Sequence, residues 1–581
     1  MVVRKRDCEG CRMRGRTTAA ATICALAAFL VTTGDAQTSK SLPHLERRSH
    51  ATQLIVDGAP WLILGAELRG TASSTLSNMD PIWPELNSLH LNTVLLALGW
   101  DWIEPTEGHF DFTLVDGLIA AAREHHLRIV FLWFGTWKNG ISSFAPSWVK
   151  SDQHRFPRSR LSSGRSVEII SPFSINARDA DTRAYSTLMR HLRDTDVDHT
   201  VLMMQMENEV GLNGDTRDRD AAAEAAFTAP VPHELLDSLA RHKASLSPAL
   251  AQRWAERGSK SAGSWSDVFG DDVVGDEIFM AWNYARYLDH VSAAGKAIYP
   301  LPVFTNTALD EPWDKRVKRA SSGGPQYYLL DVWKAGAPSI DFNGPDIYSA
   351  NFAEMIAAFD RPDNVVFPPE SLGDPHGVAN AFYAVGAHRS LGYSPFGIDD
   401  TSWLINFRPD KGAPGTDAID NTALAKGYAV LGNLAPAILT HQADGSIAAA
   451  WLNKSLPHQE ILLGDYVIDV ELRRSTRDQS FLSELGYALV MTDGPNGYLV
   501  AGSDVQITFR PRSGEDTAGL ADAEVGRFVD DKWVSLRKAN GDDVLLNYDL
   551  AGQAQTRQSG SGLRFLPGAP VIQRVRLYRY H

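Results

Sequence analysis

The sequence predicts a mixed α/β fold, a (β/α)8 or TIM barrel followed by a C-terminal β-sandwich domain. Short apolar runs alternate with helical patterns from residue 50 to 442, which is typical of a barrel of parallel strands. From residue 445 to 581, short strand-like runs are separated by turn residues, which is typical of a sandwich. The length of 581 residues also exceeds that of one domain.

The barrel strands are predicted from apolar runs that stop abruptly at polar residues or glycine, as buried parallel strands do. Helical patterns separate them, for example an apolar stripe between Leu114 and Ala122 and a closing helix at residues 422–434. The eight predicted strands are residues 62–65, 93–98, 129–133, 201–206, 302–305, 340–347, 365–367 and 395–398.

The longest interruption of this alternation lies at residues 212–300, directly after the fourth predicted strand. It contains helical patterns at about 234–257 and 276–294. Long insertions in barrels extend the loops that follow strands, so this insertion is expected to overhang the face where those strands end.

The C-terminal region has turn signals such as the segment from Asp493 to Gly497 between short β-type runs. Sandwich modules of this kind either bind glycans or support a barrel. Structural support of the barrel is the favoured role for this module, because the sequence shows no compact exposed aromatic platform that would bind a glycan. The predicted strands are residues 461–470, 487–491, 498–500, 505–509, 532–536 and 571–578.

The first 36 residues are typical of a secretory signal peptide. Six basic residues precede an apolar stretch at residues 19–31, and Gly34 and Ala36 offer a cleavage site. The stretch is too short to span a bilayer comfortably. We therefore expect an exported protein, periplasmic or extracellular, with no membrane association after cleavage.

The cysteine positions and the net charge bear on two properties, the presence of disulfides and the binding of nucleic acid. All three cysteines, Cys8, Cys11 and Cys24, lie in the predicted signal peptide, so the mature protein is expected to lack disulfides. The formal net charge is -14, and removal of six basic and three acidic residues with the leader makes it -17. An acidic protein of this kind is a poor candidate for binding nucleic acid.

Two glutamates end predicted barrel strands. Glu209 follows the fourth strand and Glu370 follows the seventh. The carboxyl ends of barrel strands carry the catalytic side chains, and two facing carboxylates are the groups that cleave a glycosidic bond. Periodicity alone leaves Glu207 open as an alternative to Glu209, because residues two apart on a strand share a face.

These segments resemble a known family. Three segments are similar to segments of the β-galactosidases of glycoside hydrolase family 35: Gln205 to Gly211, Asn92 to Phe112, and the run Pro146-Ser-Trp148. The resemblance covers about residues 50–410, and the C-terminal module resembles the one attached to a bacterial branch of that family.

The resemblance implies a retaining double displacement. Glu370 would be the nucleophile and Glu209 the acid/base, since the family carries its acid/base as the Glu of an Asn-Glu pair. Asn208 would then hydrogen-bond the sugar 2-hydroxyl.

Five further residues are candidate substrate contacts on weaker grounds. Glu67 would hold a 3- or 4-hydroxyl, or else be a solvent-facing loop acid. Trp137 would form the floor of the sugar-binding site, and Asn139 would hydrogen-bond a sugar hydroxyl. Tyr348 would hydrogen-bond Glu370 and keep it ionised, or else be a core tyrosine. Trp403 would stack on the sugar face.

No metal site is predicted, since His125 and His126 are helix neighbours that do not share a face. We expect a cofactor-independent enzyme acting on a carbohydrate.

The leading expectation is an exo-acting β-galactosidase of oligosaccharides or plant cell-wall glycans; xyloglucan side chains are implied only by the resemblance. The alternatives are a β-glucosidase, an α-L-arabinopyranosidase or a non-catalytic glycan-binding protein. The presence of both Glu209 and Glu370 argues against the last.

Overall fold

In the computed structural model of the protein, the described residues belong to one compact unit. The predicted signal peptide and Trp403 lie outside the described part of the chain. Within that part, no helix has the length and apolar character needed to cross a membrane. The structure describes residues 41–310, 322–400, 421–473, 482–514, 516–539, 544–545 and 562–581.

A five-stranded parallel sheet forms the centre of the N-terminal region. Its strands are buried on both faces, as apolar runs with few polar residues predict. One face packs on a cluster that includes Leu95, Leu132 and Phe304, and the other packs on helices. In spatial order the strands are Phe342–Asp346, Val303–Ala308, Val201–Asn208, Arg128–Lys138 and Thr93–Gly99.

Further parallel pairing lies beside this sheet. Strand Ile63–Leu64 pairs with Gly392–Tyr393, and Glu67 forms parallel bridges to both Leu95 and Phe396. The prediction of a (β/α)8 fold is therefore confirmed at the level of a mixed α/β region with parallel strands.

The seventh predicted strand, residues 365–367, is not a regular strand. Pro368 and Pro369 follow it and have no backbone N–H to contribute to a ladder. Isolated backbone hydrogen bonds hold this part of the chain against its neighbours. In one of them, the backbone N–H of Ile347 donates to the carbonyl of Glu370 at 3.0 Å. The eighth strand also differs, because the regular pairing falls at Gly392–Tyr393, just before the predicted residues 395–398.

Helices cover the outer face of the sheet. The predicted stripe lies on helix Thr113–Glu124, whose Val115 and Leu118 are buried. A Ser174 side chain caps helix Ile175–Thr195 by accepting from the N–H of Ala177. The main helices of the region are Ile82–Ser88, Thr113–Glu124, Ile175–Thr195, Val273–Lys296, Leu330–Gly336, Phe352–Phe359, Pro375–Ala387 and Thr422–Asp444.

The predicted insertion at residues 212–300 is shorter in the structure. Helix Val273–Lys296 packs against helix Ile175–Thr195, where Gly295 lies against the ring of Tyr185. It is a covering helix of the sheet, and its burial on almost every face explains why its sequence lacks a clear amphipathic period. The added part contains the short helices Ala221–Thr228, His233–Arg241, Pro248–Glu256 and Trp265–Val268.

The C-terminal region consists of two antiparallel sheets around a shared core that includes Ile468, Val490 and Ile507. The predicted strand 461–470 is two strands joined by a turn at Gly464, which has a positive φ of 57°. The strands are Ile447–Asn453, Leu485–Thr492, Gly497–Ser503, Val571–Tyr580, Thr517–Val529 and Lys532–Lys538 in one sheet, and His458–Leu463, Tyr466–Leu472, Val505–Pro511, Gly562–Arg564 and Val544–Leu545 in the other.

The outer face of the first sheet packs on the helices of the N-terminal region. Leu489, Met491 and Leu499 belong to the same apolar cluster as those helices. The Trp451 indole N–H donates to Asn380 at 3.1 Å across this contact. These contacts agree with the supporting role favoured for the C-terminal region.

Candidate active site

The end of strand Val201–Asn208 has an unusual backbone that separates Glu207 from Glu209. Both glutamates have positive φ angles, 57° and 46°. Non-glycine residues adopt this conformation at a cost of about 1–3 kcal/mol, which the surrounding contacts must offset. The strand therefore ceases to alternate regularly at its end, and the two glutamates make different contacts.

Glu207 is engaged by the backbone of the neighbouring strand. Its carboxylate accepts from the N–H groups of Gly135, Thr136 and Trp137 at 2.8–3.0 Å. Burial, and then the nearby Asp181, raise the pKa of Glu207 well above its usual range. Glu207 thus fixes the end of strand Arg128–Lys138 and has its acceptors occupied by protein.

Glu209 and Glu370 face each other. One carboxyl oxygen of each lies within 4.8 Å of the other, and an oxygen of Asp346 completes the triangle at the same limit. The backbone N–H of Glu209 donates to the side-chain oxygen of Asn306 at 3.0 Å, which anchors the chain at this point. The two predicted catalytic residues are therefore brought together.

Three donors orient the buried carboxylate of Glu370. The Tyr348 hydroxyl donates to Oε2 at 2.7 Å, and the Asn306 amide donates to Oε1 at 3.2 Å. When the Asn208 amide nitrogen faces Glu370, it donates to Oε1 at 3.0 Å, and the amide oxygen accepts from Nζ of Lys138 at 2.9 Å. This orientation gives the carboxylate a donor and the ammonium an acceptor.

The electrostatics of Glu209 suit a general acid. Burial, and then repulsion from Glu370, raise the pKa of Glu209 to about 7, while Lys138 and a hydrogen bond with Asp346 act in the opposite direction. A carboxyl group with such a pKa holds a proton near neutral pH and can release it during reaction.

Glu67 lies fully buried beside this pair. Neither carboxyl oxygen has a hydrogen-bond partner among the described residues. Burial, and then repulsion from Glu370, raise the pKa of Glu67 well above its usual range. The alternative of a solvent-facing loop acid is therefore wrong. A buried, unpartnered carboxyl group is costly unless a ligand satisfies it.

Asn139 lies at the rim of the same cluster. Its side-chain amide contacts that of Asn208 at 3.0 Å, and its backbone carbonyl accepts from the amide of Asn213 at 2.7 Å. Its φ of 52° lies in the left-handed region, which asparagine tolerates better than most residues.

Trp137 does not join the cluster. Its indole N–H donates to the carbonyl of Ile170 at 2.9 Å, and its ring packs against Tyr284 and Tyr287. The prediction of a sugar-binding floor at this position is not supported, because the side chain is a buried part of the core. Trp403, the predicted stacking residue, lies outside the described residues.

Three residues of the site were not predicted from the sequence: Lys138, Asn306 and Asp346. Each is a polar residue at or near the carboxyl end of a strand, like Glu209 itself. The rule that such strand ends carry the chemistry would have selected all three. Asp346 in particular ends the observed strand Phe342–Asp346, inside the predicted strand 340–347 and two residues before Tyr348.

Among the described residues, two groups of side chains have the spacing to share a cation. One is the triangle of Glu209, Asp346 and Glu370. Burial raises the pKa of both Glu209 and Asp346, which favours protonated carboxyls that bind cations poorly. The other is the surface group of His458, Glu460 and Asp469, where Arg510 already pairs with both acids at 2.6 and 3.3 Å.

Comparison with protein families agrees with this geometry. Residues 79–268 match the family described as beta-galactosidase, Glyco_hydro_42, and residues 424–548 match a domain of unknown function, DUF5597. The first segment includes Lys138, Glu207 and Glu209. This part of the chain is a glycoside hydrolase domain. The resemblance to family 35 is not confirmed, because the matching family is of the family 42 type.

Similar solved structures include the beta-galactosidase of Bacillus circulans sp. alkalophilus (14% identity, 58% of this chain, 50% of that chain, TM-score 0.38). A second is the beta-galactosidase of the psychrophilic Marinomonas ef1 (11% identity, 65% of this chain, 61% of that chain, TM-score 0.39). A third is the catalytic domain of a beta-amylase from Paenibacillus polymyxa (11% identity, 63% of this chain, 97% of that chain, TM-score 0.42). No curated protein matches the chain. The chain spans about half the length of the first of these structures, and its activity must be inferred from its own site.

Proposed function

We propose that the protein is a retaining, exo-acting β-galactosidase. The observation that carries this proposal is the separation of at most 4.8 Å between carboxyl oxygens of Glu209 and Glu370. Retaining glycosidases place their carboxyl groups about 5–5.5 Å apart, whereas inverting enzymes need roughly 6.5–9.5 Å to admit a water molecule. A closest approach of at most 4.8 Å between their oxygens supports the retaining arrangement.

In the first step, the carboxylate of Glu370 attacks the anomeric carbon while Glu209 donates its proton to the departing oxygen. Glu370 becomes an ester and Glu209 becomes a carboxylate, so the total charge of the site does not change. In the second step, Glu209 removes a proton from water, and the water oxygen displaces Glu370 from the anomeric carbon. The retained configuration follows from two inversions.

Glu67 and Asn208 are the proposed contacts of the sugar ring. Glu67 offers two buried carboxyl oxygens that have no hydrogen-bond partner among the described residues, and these oxygens suit adjacent sugar hydroxyls. Asn208 lies between Glu370 and Lys138, close to the position that the 2-hydroxyl takes during attack on the anomeric carbon. Hydrogen bonds to this hydroxyl strengthen in the transition state.

The assignment of galactose rests on the family match, which is to beta-galactosidases. An exo mode is supported by the segment after Glu209, in which Asn213 bonds to the loop at Asn139 and Leu212 pairs with Ser322. These contacts tie the segment to two neighbouring loops, and we propose that the segment closes one side of the site. We keep xyloglucan side chains or related plant cell-wall glycans as the proposed natural substrates, and export through residues 1–36 as the proposed route.

The catalytic region is also proposed to be a closed barrel of eight segments. The N–H of Ile63 donates to the carbonyl of Leu391 at 2.9 Å, and the N–H of Leu95 donates to the carbonyl of Ala66 at 2.8 Å. Together with the bond from Ile347 to Glu370, these contacts support continuous pairing around the sheet.

A mechanism-based label tests the function directly. A 2-deoxy-2-fluoro-β-galactosyl fluoride should inactivate the enzyme, and peptide mass analysis should place the sugar on Glu370. The product formed first from an aryl β-galactoside should be the β anomer by NMR. The variant Glu85→Gln, which changes an exposed residue, should be labelled and should form product as the wild type does. Labelling at another carboxyl group, or an α product, would overturn the proposal.

A further inference from the structure

Asp346 is a third carboxyl group in direct contact with the catalytic pair. It lies at the end of strand Phe342–Asp346, and only 3% of its surface is exposed. Its Oδ2 accepts from the Asn306 amide at 2.9 Å, and one of its oxygens lies within 4.8 Å of oxygens of both Glu209 and Glu370. The nucleophile and acid/base roles are filled by the other two carboxyl groups, so Asp346 requires a separate explanation.

The surroundings of Asp346 disfavour a negative charge. Glu67, Glu209 and Glu370 face it from three other segments, and Tyr348 stands two residues along the chain. The one cation of this group among the described residues is Lys138, which contacts the Asn208 amide oxygen. Burial, and then repulsion from Glu370, raise the pKa of Asp346 well above its usual range. A hydrogen bond with Glu209 acts in the same direction, as expected when Asp346 is the donor.

We propose that Asp346 is a positioning residue that stays protonated and donates a hydrogen bond to Glu209, stabilising the carboxylate that Glu209 becomes in the covalent intermediate. This inference rests on the proposed double displacement for its catalytic meaning. Its structural content, a neutral Asp346 that favours the ionised form of Glu209, holds independently of the sugar that is cleaved.

The role follows from the proton balance of the reaction. Before reaction Glu209 carries the proton that the departing oxygen will take. After that transfer Glu209 is a carboxylate in a buried site, and its charge has moved there from Glu370. A neutral donor at Asp346 stabilises this new charge without adding another negative group, and it keeps Glu209 ready to deprotonate water. The proton of Asp346 itself is not consumed.

The test compares Asp346→Asn with Asp346→Val. Asparagine keeps the shape and offers an N–H donor to Glu209, whereas valine removes the donor. Glu209 should be titrated by carbon NMR in protein labelled at glutamate carboxyl carbons, without substrate. The Asp346→Val variant should titrate Glu209 at least one pH unit higher than the wild type, and Asp346→Asn should stay near the wild-type value or below it.

Turnover gives the second readout. On an aryl galactoside with an excellent leaving group, hydrolysis of the intermediate limits kcat and requires ionised Glu209. The acid limb of kcat should move to higher pH in Asp346→Val and be restored in Asp346→Asn. Asp346→Ala serves in place of the valine variant if that protein does not fold, and Asp237→Asn on the exposed face of helix His233–Arg241 is the matched control.

The outcomes are distinct. A downward shift of the Glu209 titration in Asp346→Val would mean that Asp346 is ionised in the native protein, which overturns the inference. An unchanged titration in both variants would mean that Asp346 is only structural. Failure of the wild type to cleave any aryl galactoside would instead refute the proposed function, while the NMR titration would still decide the state of Asp346.

Discussion

Removal of the charge on Glu370 should make Glu209 a markedly stronger acid. The variant Glu370→Gln keeps the shape of the side chain, and its single amide oxygen can still accept one of the two hydrogen bonds, from Tyr348 at the Oε2 position or from Asn306 at the Oε1 position. What it removes is the negative charge whose oxygen lies within 4.8 Å of an oxygen of Glu209. This charge is the second largest cause of the raised pKa of Glu209, after burial.

The size of the effect can be worked out from that distance. Two unit charges 4.8 Å apart repel each other by about 3.5 kcal/mol at an effective dielectric constant of about 20. This is a point-charge value, and the sharing of each charge between two oxygens lengthens the mean separation and reduces the repulsion. Since about 1.4 kcal/mol corresponds to one pH unit, Glu209 should titrate about one to two units lower in the variant than at the wild-type value of about 7.

Carbon NMR of carboxyl-labelled protein measures this titration, and a Glu209→Gln protein assigns the resonance. In the wild type, the alkaline limb of kcat/KM should coincide with the titration near pH 7, because activity is lost as the acid loses its proton. Glu85→Gln, on the surface of helix Ile82–Ser88, should leave the resonance unchanged. An unchanged or higher titration of Glu209 in Glu370→Gln would refute the electrostatic coupling inferred here.

Four further outcomes are expected. Glu370→Gly should abolish hydrolysis, and added azide should give an α-linked galactosyl azide from an activated aryl β-galactoside; a fully active variant would exclude Glu370 as the nucleophile. Glu209→Ala should slow substrates with poor leaving groups by about 10²- to 10⁴-fold, spare activated ones and give a β-linked azide product; the same pattern in Glu207→Ala instead would reverse the assignment. Glu207→Gln should lower the free energy of unfolding by about 1–3 kcal/mol in denaturant titrations, because one backbone N–H loses its acceptor. Early products from a galactosylated oligosaccharide should be single monosaccharides, whereas intermediate-length fragments by chromatography would indicate an open cleft.

The sequence predicted the parallel strands where apolar runs are long and uninterrupted. Thr93–Gly99 and Val201–Asn208 are each within two residues of the predicted bounds, because a strand buried on both faces must be apolar throughout. The prediction of a regular seventh strand was wrong. Residues 365–367 are apolar, but the two prolines that follow them cannot continue a ladder of backbone hydrogen bonds. The position of this segment in the fold depends on bonds to neighbouring segments that no local pattern contains.

The C-terminal strands were harder to delimit. The predicted strand at 461–470 hides a hairpin, since apolar residues flank Gly464 and Asp465 on both sides and the turn adds only two residues. The long strand Thr517–Val529 was missed because Gly519, Asp522 and Gly526 dilute its β-type pattern. Gly519 lies directly against the ring of Tyr578, a reason for glycine that only the cross-strand pairing reveals.

Some residues of the site could be predicted from the local sequence, whereas others depend on contacts between distant segments. Glu370 was predicted from its place at a strand end, whereas the choice of Glu209 over Glu207 needed a family resemblance. The structure gives the two glutamates different contacts: Glu207 accepts from three backbone N–H groups, and Glu209 faces Glu370. Trp137 could not be excluded from sequence, because an indole suits a sugar face and a protein core equally well.

The acids of this site are held close together because they lie in or directly beside paired segments of the sheet. Glu67, Glu209, Asp346 and Glu370 come from four separate segments, and Lys138 from a fifth. Buried like charges would push flexible loops apart, since each pair repels by several kcal/mol at these distances. Strand ends in a packed sheet resist this repulsion, because moving one of them breaks backbone hydrogen bonds on both sides. The repulsion is then relieved by protons instead of by movement, and a carboxyl group that holds a proton near neutral pH is what the departing oxygen of a glycoside requires.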